Sequence, residues 1–107
     1  MLESVKVQLD EAKKLYPNLE FQEMQDSAIH VVVKDIPLPV KWGREKVSIL
    51  AVLPAGYPQA APNGFSAQMD GQNWSGFCYR PASWNPAREN VWKWIKLIER
   101  FFEENSP

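Results

Sequence analysis

Cysteine and histidine are the scarcest chemically active residues of this chain, with one of each among 107 residues. A single cysteine cannot form a disulfide within the chain, so the fold does not depend on oxidation, and we expect a cytoplasmic protein. No second cysteine or histidine is present to build a zinc site, and His30 alone, within a predicted strand, does not indicate a Ser-His-Asp triad. We therefore expect neither a bound metal nor a cofactor.

An excess of charge and long apolar runs are also missing. Twelve basic and thirteen acidic residues give a net charge of −1, which provides no electrostatic footprint for a nucleic acid backbone. The first residues, Met1 to Lys6, mix charged and apolar side chains, so we expect neither a signal peptide nor a membrane span. The hydrophobic share of 45% is typical of a globular protein, and residues 1–107 are expected to form one domain with its own core.

Hydrophobic periodicity predicts a helix at each end of the chain and four strands between them. The first helix is predicted over residues 2–16. Asn85 is a good N-cap residue and Pro86 suits the first helical position, so the last helix is predicted to begin there and to reach Glu104. The strands are predicted at residues 19–24, 28–34, 46–53 and 64–69. This order favours an α+β fold with a four-stranded antiparallel meander and an irregular segment between Asp70 and Pro86.

The only cysteine, Cys78, lies in the connecting segment Ser75-Gly76-Phe77-Cys78-Tyr79, shortly before the last predicted helix. Small and polar neighbours close to the start of a helix are typical of a nucleophilic thiol. A free cysteine is also among the most often buried residues, where it packs as a small hydrophobic side chain. The position of Cys78 leaves both interpretations open.

Three short motifs follow one another along the chain. They are Tyr57-Pro58-Gln59-Ala60-Ala61-Pro62 after the third strand, Gly76-Phe77-Cys78, and Trp84-Asn85-Pro86-Ala87 before the last helix. Together with the order of elements, they resemble the ubiquitin-conjugating enzyme family, in which a glycine stands two residues before the active-site cysteine. The resemblance extends from the first helix to Glu104. It implies the fold of that family around a thiol that carries a thioester.

The resemblance also implies a reaction and its partners. Cys78 would accept a ubiquitin-like protein from an activating enzyme, which would dock on the first helix, and would pass it to an amine or thiol of an acceptor. The partner-binding surface of the family consists of two loops, which both also stabilise the fold. The residues that match these loops are Tyr57, Pro58, Pro62, Trp84, Pro86 and Ala87.

The sequence departs from the family pattern at the His-Pro-Asn tripeptide, which is absent. Asn73 is then the first candidate to support the oxyanion of the tetrahedral intermediate, and the backbone around Cys78 is the second. Asp70 is a weaker candidate for a carboxylate that orients an incoming lysine, because Asp-Gly is first of all a turn signal. The short segment before Cys78 and the early end of the chain resemble compact bacterial members. The missing tripeptide favours the alternative of a catalytically inactive binding module, similar to the RWD domains.

Overall fold

The computed structural model describes residues 1–62, 64–69, 73–77, 79 and 84–105. Within these residues one α-helix lies near each end of the chain, and the five strands of a single sheet lie between the two helices in sequence. The elements are α1 (Glu3–Leu15), β1 (Leu19–Glu23), β2 (Ile29–Pro37), a 3₁₀ turn (Val40–Trp42), β3 (Lys46–Leu53), β4 (Phe65–Met69), β5 (Ser75–Phe77) and α2 (Val91–Glu104). The predicted α+β class and antiparallel meander are confirmed, whereas the predicted count of four strands is wrong.

The sheet is a meander in which each strand pairs with the next along the chain. Leu19 lies opposite Val33 across β1 and β2, and Ile49 lies opposite Ala67 across β3 and β4. The register of β2 against β3 shifts between Val33 and Ile36, where Asp35 has a φ of 58°. Aspartate tolerates this left-handed region better than most residues, so it suits a bulge in a strand.

The core lies on one face of the sheet, which both helices cover. Every second residue of β2 and β3 is buried there, and α1 contributes side chains at helical spacing. The α2 helix contributes the largest side chains, Trp94 and Phe102, each almost fully buried. Burial of a large apolar side chain stabilises the fold by about 1.5–3 kcal/mol, so α2 is the main anchor of the sheet. The buried residues of the two helices are Val5, Leu9, Ala12, Val91, Trp94, Ile95, Ile98 and Phe102.

The fifth strand, β5, lies inside the segment that the sequence predicts to be irregular. Phe77 pairs with Phe65 of β4, and Ser75 pairs with Ala67. A strand of three residues with Gly76 at its centre is too short to show a period of two, which explains why the sequence does not reveal it. The Phe77 and Phe65 rings stack with centroids 5.2 Å apart, and this contact holds β5 against β4.

The predicted start of the last helix at Asn85 and Pro86 is also wrong. The Asn85 carboxamide accepts a hydrogen bond from the Ala87 amide at 3.0 Å, which closes a separate turn. Asn90 is the true N-cap: its backbone is extended, and its side-chain oxygen accepts from the Lys93 amide at 3.0 Å. Both asparagines suit a cap, but only Asn90 directly precedes the apolar face that begins at Val91.

The far end of α2 is capped by the 3₁₀ turn. The Trp42 indole N–H donates to the Phe102 carbonyl at 2.7 Å, and the Lys41 ammonium donates to the Glu103 carbonyl. The last carbonyls of a helix have no partner within it, and a cation at this end also opposes the negative end of the helix dipole. The loop between β2 and β3 therefore supplies hydrogen-bond donors to the last carbonyls of α2.

Candidate functional site

The structure describes only one of the three residues that the sequence connects with catalysis. Cys78 and Asp70 lie outside the described residues. Asn73 is described: it is exposed and stands two residues before β5. The proposed roles of Cys78, Asp70 and Asn73 therefore stay predictions, and the described neighbours of Cys78 define the surroundings of the site.

The two chain neighbours of Cys78 are held by a set of aromatic side chains that we name the aromatic cluster. Phe77 packs against Phe101 with centroids 5.4 Å apart, and Tyr79 stacks on Trp94 at 5.9 Å with an interplanar angle of 13°. Aromatic pairs at these separations contribute about 0.5–1.5 kcal/mol beyond their buried area. Both neighbours are thereby anchored on α2. The members of the cluster are Phe65, Phe77, Tyr79, Trp94, Phe101 and Phe102.

The aromatic cluster is held by apolar contacts. Trp94 is fully buried, and its indole N–H has no hydrogen-bond partner in the part of the chain that the structure describes. The cluster thus holds Phe77 and Tyr79 on α2 through apolar packing, without polar contacts at Trp94 among the described residues.

A second set of contacts joins α1 to the two loops that the resemblance assigns to partner binding. The Tyr57 hydroxyl donates to Gln8 Oε1 at 2.5 Å, and the Tyr57 ring lies 5.8 Å from that of Trp84. The Trp84 indole N–H donates to the Pro58 carbonyl at 2.6 Å, and the Tyr57–Pro58 peptide bond is cis. We name these residues, together with Glu89, the Tyr57 junction. It connects the first helix, the loop after β3 and the turn before α2.

The Tyr57 junction changes the acidity of its central hydroxyl. Tyr57 is 4% exposed, and its burial raises the pKa of the phenol, with a further increase from the Glu89 carboxylate. Both effects disfavour the phenolate, because burial deprives its charge of solvation and the Glu89 carboxylate repels a second negative charge. Tyr57 therefore remains a hydrogen-bond donor to Gln8 well above neutral pH.

The six residues predicted to bind partners differ widely in exposure. Tyr57 and Pro62 are buried, Pro58 and Trp84 are half-buried, and Pro86 and Ala87 are exposed. Buried members of the set can act only through the shape of the two loops, whereas Pro86 and Ala87 are open to a partner. Exposure thus divides the set into buried residues that stabilise the loops and exposed residues, whose binding role stays a prediction.

A groove on the side of the sheet opposite to the helices was not predicted from the sequence. It has a volume of about 450 Å³ and is lined mainly by β3, β4 and β5. Its lining includes Gly76 and Ser66 together with the apolar side chains of Leu50 and Val52. No described atom lies within 4 Å of the position that a Cβ on Gly76 would occupy. The groove therefore comes within two residues of Cys78 along the chain.

Neither a metal-binding cluster nor a membrane-spanning helix is found among the described residues. Across residues 1–62, 64–69, 73–77, 79 and 84–105, no three His, Cys, Asp or Glu side chains are placed to hold a metal ion. Neither described helix has the length and apolar character needed to cross a membrane. His30 is half-buried on β2, opposite Val52.

No family model, curated protein or solved structure matches this chain. The class that the structure defines is therefore an α+β protein with two helices on one face of an antiparallel meander. Functional arguments about it depend on the contacts described above and on the motifs of its sequence.

Proposed function

We propose that this protein is a ubiquitin-conjugating-like enzyme of the compact bacterial type. In this proposal Cys78 accepts a ubiquitin-like protein from an activating enzyme as a thioester and transfers it to an amine or thiol of an acceptor. The order of elements is consistent with that family: a helix is followed by a meander, a loop and a second helix, although the sheet has a fifth strand. The motifs quoted from the sequence provide the rest of the resemblance.

The observation that carries the proposal is the contact between Trp84 and Pro58. These residues belong to two motifs that are separated in the chain by the entire segment containing β4, β5 and Cys78, yet the indole of one donates to the carbonyl of the other. Chance matches of short motifs would have no reason to meet. Their contact supports the interpretation that both belong to one partner-binding surface.

The proposed reaction is an exchange of one thioester for another. The Cys78 thiolate attacks the carbonyl carbon of the thioester on the activating enzyme, a new carbon–sulfur bond forms, and the activating enzyme's thiolate leaves. Transfer to an amine then breaks the bond to Cys78 and releases its thiolate, while the amine loses a proton. A hydrogen-bond donor near the oxyanion contributes about 2.7–4 kcal/mol in other acyl transfers, and Asn73 is our candidate for this donor.

Gly76 independently supports the proposal that the tail of a partner protein approaches β5. A Cβ at this position would meet no described atom within 4 Å, and no positive φ is recorded for Gly76. Among the described residues nothing therefore requires glycine at this position of β5. Glycine also permits close approach of another backbone, as an extended tail that ends at Cys78 would require.

The direct test is a non-reducing gel with the activating enzyme, ATP and the ubiquitin-like protein. We expect wild type to form an adduct that a thiol reagent cleaves, Cys78→Ser to form a thiol-resistant ester, and Cys78→Ala to form none. An adduct that persists in Cys78→Ala would contradict the assignment of the nucleophile. The chain has no other cysteine, so this result would place the acyl group on a different kind of side chain.

A second test substitutes Gly76 and distinguishes an effect on the approach of the ubiquitin-like protein from an effect on folding. We expect Gly76→Val to fold at least as stably as wild type, because its Cβ enters open space and valine favours a strand, but to form the thioester more slowly. Gly76→Ala is the matched control with a smaller side chain. Equal rates for all three proteins would contradict the role given to Gly76 while leaving that of Cys78 intact.

The inactive binding module is the second candidate, which the missing His-Pro-Asn tripeptide favours. Native-state alkylation of the single thiol distinguishes the two. An acceptor thiol must react with iodoacetamide in the folded protein, whereas a packed cysteine reacts only after unfolding. Resistance to alkylation, combined with retained binding of the ubiquitin-like protein, would favour the inactive module.

A further inference from the structure

The outward face of α2 carries basic side chains at the spacing that places them on one side of a helix. Lys93, Lys96 and Arg100 follow one another at intervals of three and four residues, with Leu97 among them. These four residues and Glu89 line a groove of about 320 Å³. For a chain with a net charge of −1, three cations around one groove are a marked local concentration.

Each of the three cations has a contact that restricts its position. The Lys93 ammonium donates to the Arg88 carbonyl at 2.6 Å, and the Lys96 ammonium lies 6.0 Å from the centre of the Tyr16 ring. The Arg100 guanidinium lies 3.3 Å from the Glu104 carboxylate. Side chains that are already restricted lose less conformational entropy when a ligand binds. The groove is thus partly organised before any partner arrives.

Arg100 is the only one of these cations that pairs with a carboxylate within the part of the chain that the structure describes. Lys93 and Lys96 form no ion pair with a described carboxylate, and their neighbours are carbonyl and aromatic groups. Leu97 is half-buried at the centre of the three. The groove thereby combines two lysines that have no ion-pair partner among the described residues with an apolar contact point.

We propose that this groove binds an acidic, amphipathic segment of a partner protein. Carboxylates of the segment would pair with Lys93, Lys96 and Arg100, and an apolar side chain between them would contact Leu97. This inference does not depend on the proposed thioester chemistry. It concerns a surface of α2 formed without Cys78, and neither its success nor its failure changes the reaction assigned above.

Two observations favour such a segment over a nucleic acid. Glu89 lines the same groove, and its carboxylate would repel a continuous row of phosphates but leaves room for separate carboxylates further along α2. Glu89 also belongs to the Tyr57 junction, so the groove adjoins the loops that the resemblance assigns to partner proteins. A protein segment bound there would continue along that surface.

The test measures fluorescence anisotropy of a labelled helical peptide in which leucines are separated by glutamates. The tested variant is the triple charge reversal Lys93→Glu, Lys96→Glu, Arg100→Glu. The control carries the same charge change at the exposed residues Lys6, Arg44 and Lys46. We expect about a tenfold or greater loss of affinity in the first variant, because several exposed ion pairs act together, and a smaller loss in the control. Thermal unfolding of both variants checks that they fold.

Three outcomes would overturn the proposal. The first is no binding of the glutamate peptide by wild type, and the second is an equal loss of affinity in the two triple variants. The third is tighter binding of a labelled single-stranded oligonucleotide than of the peptide, with a greater loss in the α2 variant, which would assign the groove to nucleic acid. A matched peptide with glutamine in place of glutamate should bind wild type weakly and with little dependence on salt.

Discussion

The aromatic cluster and the Tyr57 junction are stabilised in different ways. Apolar packing holds the cluster, in which the Trp94 indole N–H has no hydrogen-bond partner among the described residues. The junction also contains packed rings, but two hydrogen bonds fix it, one from Tyr57 to Gln8 and one from Trp84 to Pro58. Apolar packing depends mainly on volume, whereas a hydrogen bond requires one particular partner atom. The cluster therefore supplies stability, and the junction determines the relative positions of α1 and the two loops.

The largest expected effect comes from the aromatic cluster. Phe102→Ala removes a ring that is 2% exposed and contacts Phe65 and Trp42. We expect the free energy of unfolding, measured by urea denaturation, to fall by about 3–5 kcal/mol. Val40→Ala is the control, since Val40 is 95% exposed and its truncation should change stability by less than about 0.5 kcal/mol. A similar loss in both variants would contradict the assignment of Phe102 to the core.

The Tyr57 junction should respond less strongly to the loss of one polar contact. Trp84→Phe removes the donor to the Pro58 carbonyl while keeping an aromatic ring near Tyr57. We expect a loss of about 1–2 kcal/mol in the same denaturation experiment, because a half-buried acceptor is left without its partner. Trp74→Phe, at an indole that is 43% exposed, should be nearly neutral. If Trp84→Phe were equally neutral, the hydrogen bond would not hold the two loops together.

A smaller effect distinguishes the two asparagines before α2. Asn90→Ala removes the cap of the helix that carries most of the aromatic cluster, and we expect stability to fall by about 1 kcal/mol. Asn85→Ala affects only the turn beside Trp84, so its loss should be smaller. Circular dichroism during thermal unfolding measures both. The opposite order would indicate that the helix begins at Asn85, as the sequence analysis predicted.

The pH dependence of stability should differ between the two regions in the alkaline range. Burial and then the Glu89 carboxylate raise the pKa of Tyr57 in the folded protein, so the unfolded chain, in which tyrosine ionises near 10, loses its proton first. The contribution of Tyr57 to stability is fully present below about pH 10 and is lost as the pH rises above it. Tyr57→Phe should therefore lose less stability than wild type as the pH rises above about 10.

Two measurements check the alkaline prediction. Urea denaturation at several pH values compares wild type with Tyr57→Phe, and phenolate absorbance follows ionisation directly. Tyr16 provides an internal comparison, because burial and its hydrogen bond to the Glu99 carboxylate also raise the pKa of that phenol. Tyr16→Phe should change the alkaline dependence in the same direction. Identical pH profiles for wild type and both variants would contradict the assigned shifts.

The sequence predicts the elements whose signal repeats along the chain. The buried residues of α1 recur at helical spacing and those of β3 at every second position, and the bounds of both elements were predicted to within about two residues. Signals that depend on a single residue were less informative. Asn85 and Asn90 have equal capping ability, and only the position of the apolar face decides between them.

The candidate site was less predictable for a related reason. Nothing in the local sequence indicates that Gln8 on α1 accepts from Tyr57, or that the Trp84 indole reaches the Pro58 carbonyl. These pairs form between distant parts of the chain after the sheet and α2 have placed them together. The motifs identified Tyr57 and Trp84 as members of one surface, whereas Gln8 and Glu89 became apparent only in the structure.

The caps on the two ends of α2 have a consequence for how the protein opens. Asn90 caps the first turn, and the 3₁₀ turn holds the last carbonyls from outside the helix, so fraying at either end breaks hydrogen bonds. Local opening of α2 is then coupled to separation of the helix from the sheet. Amide hydrogens of α2 from Lys93 onward should exchange with solvent at rates close to those of global unfolding, and the helix should behave as one cooperative unit with the strands it covers.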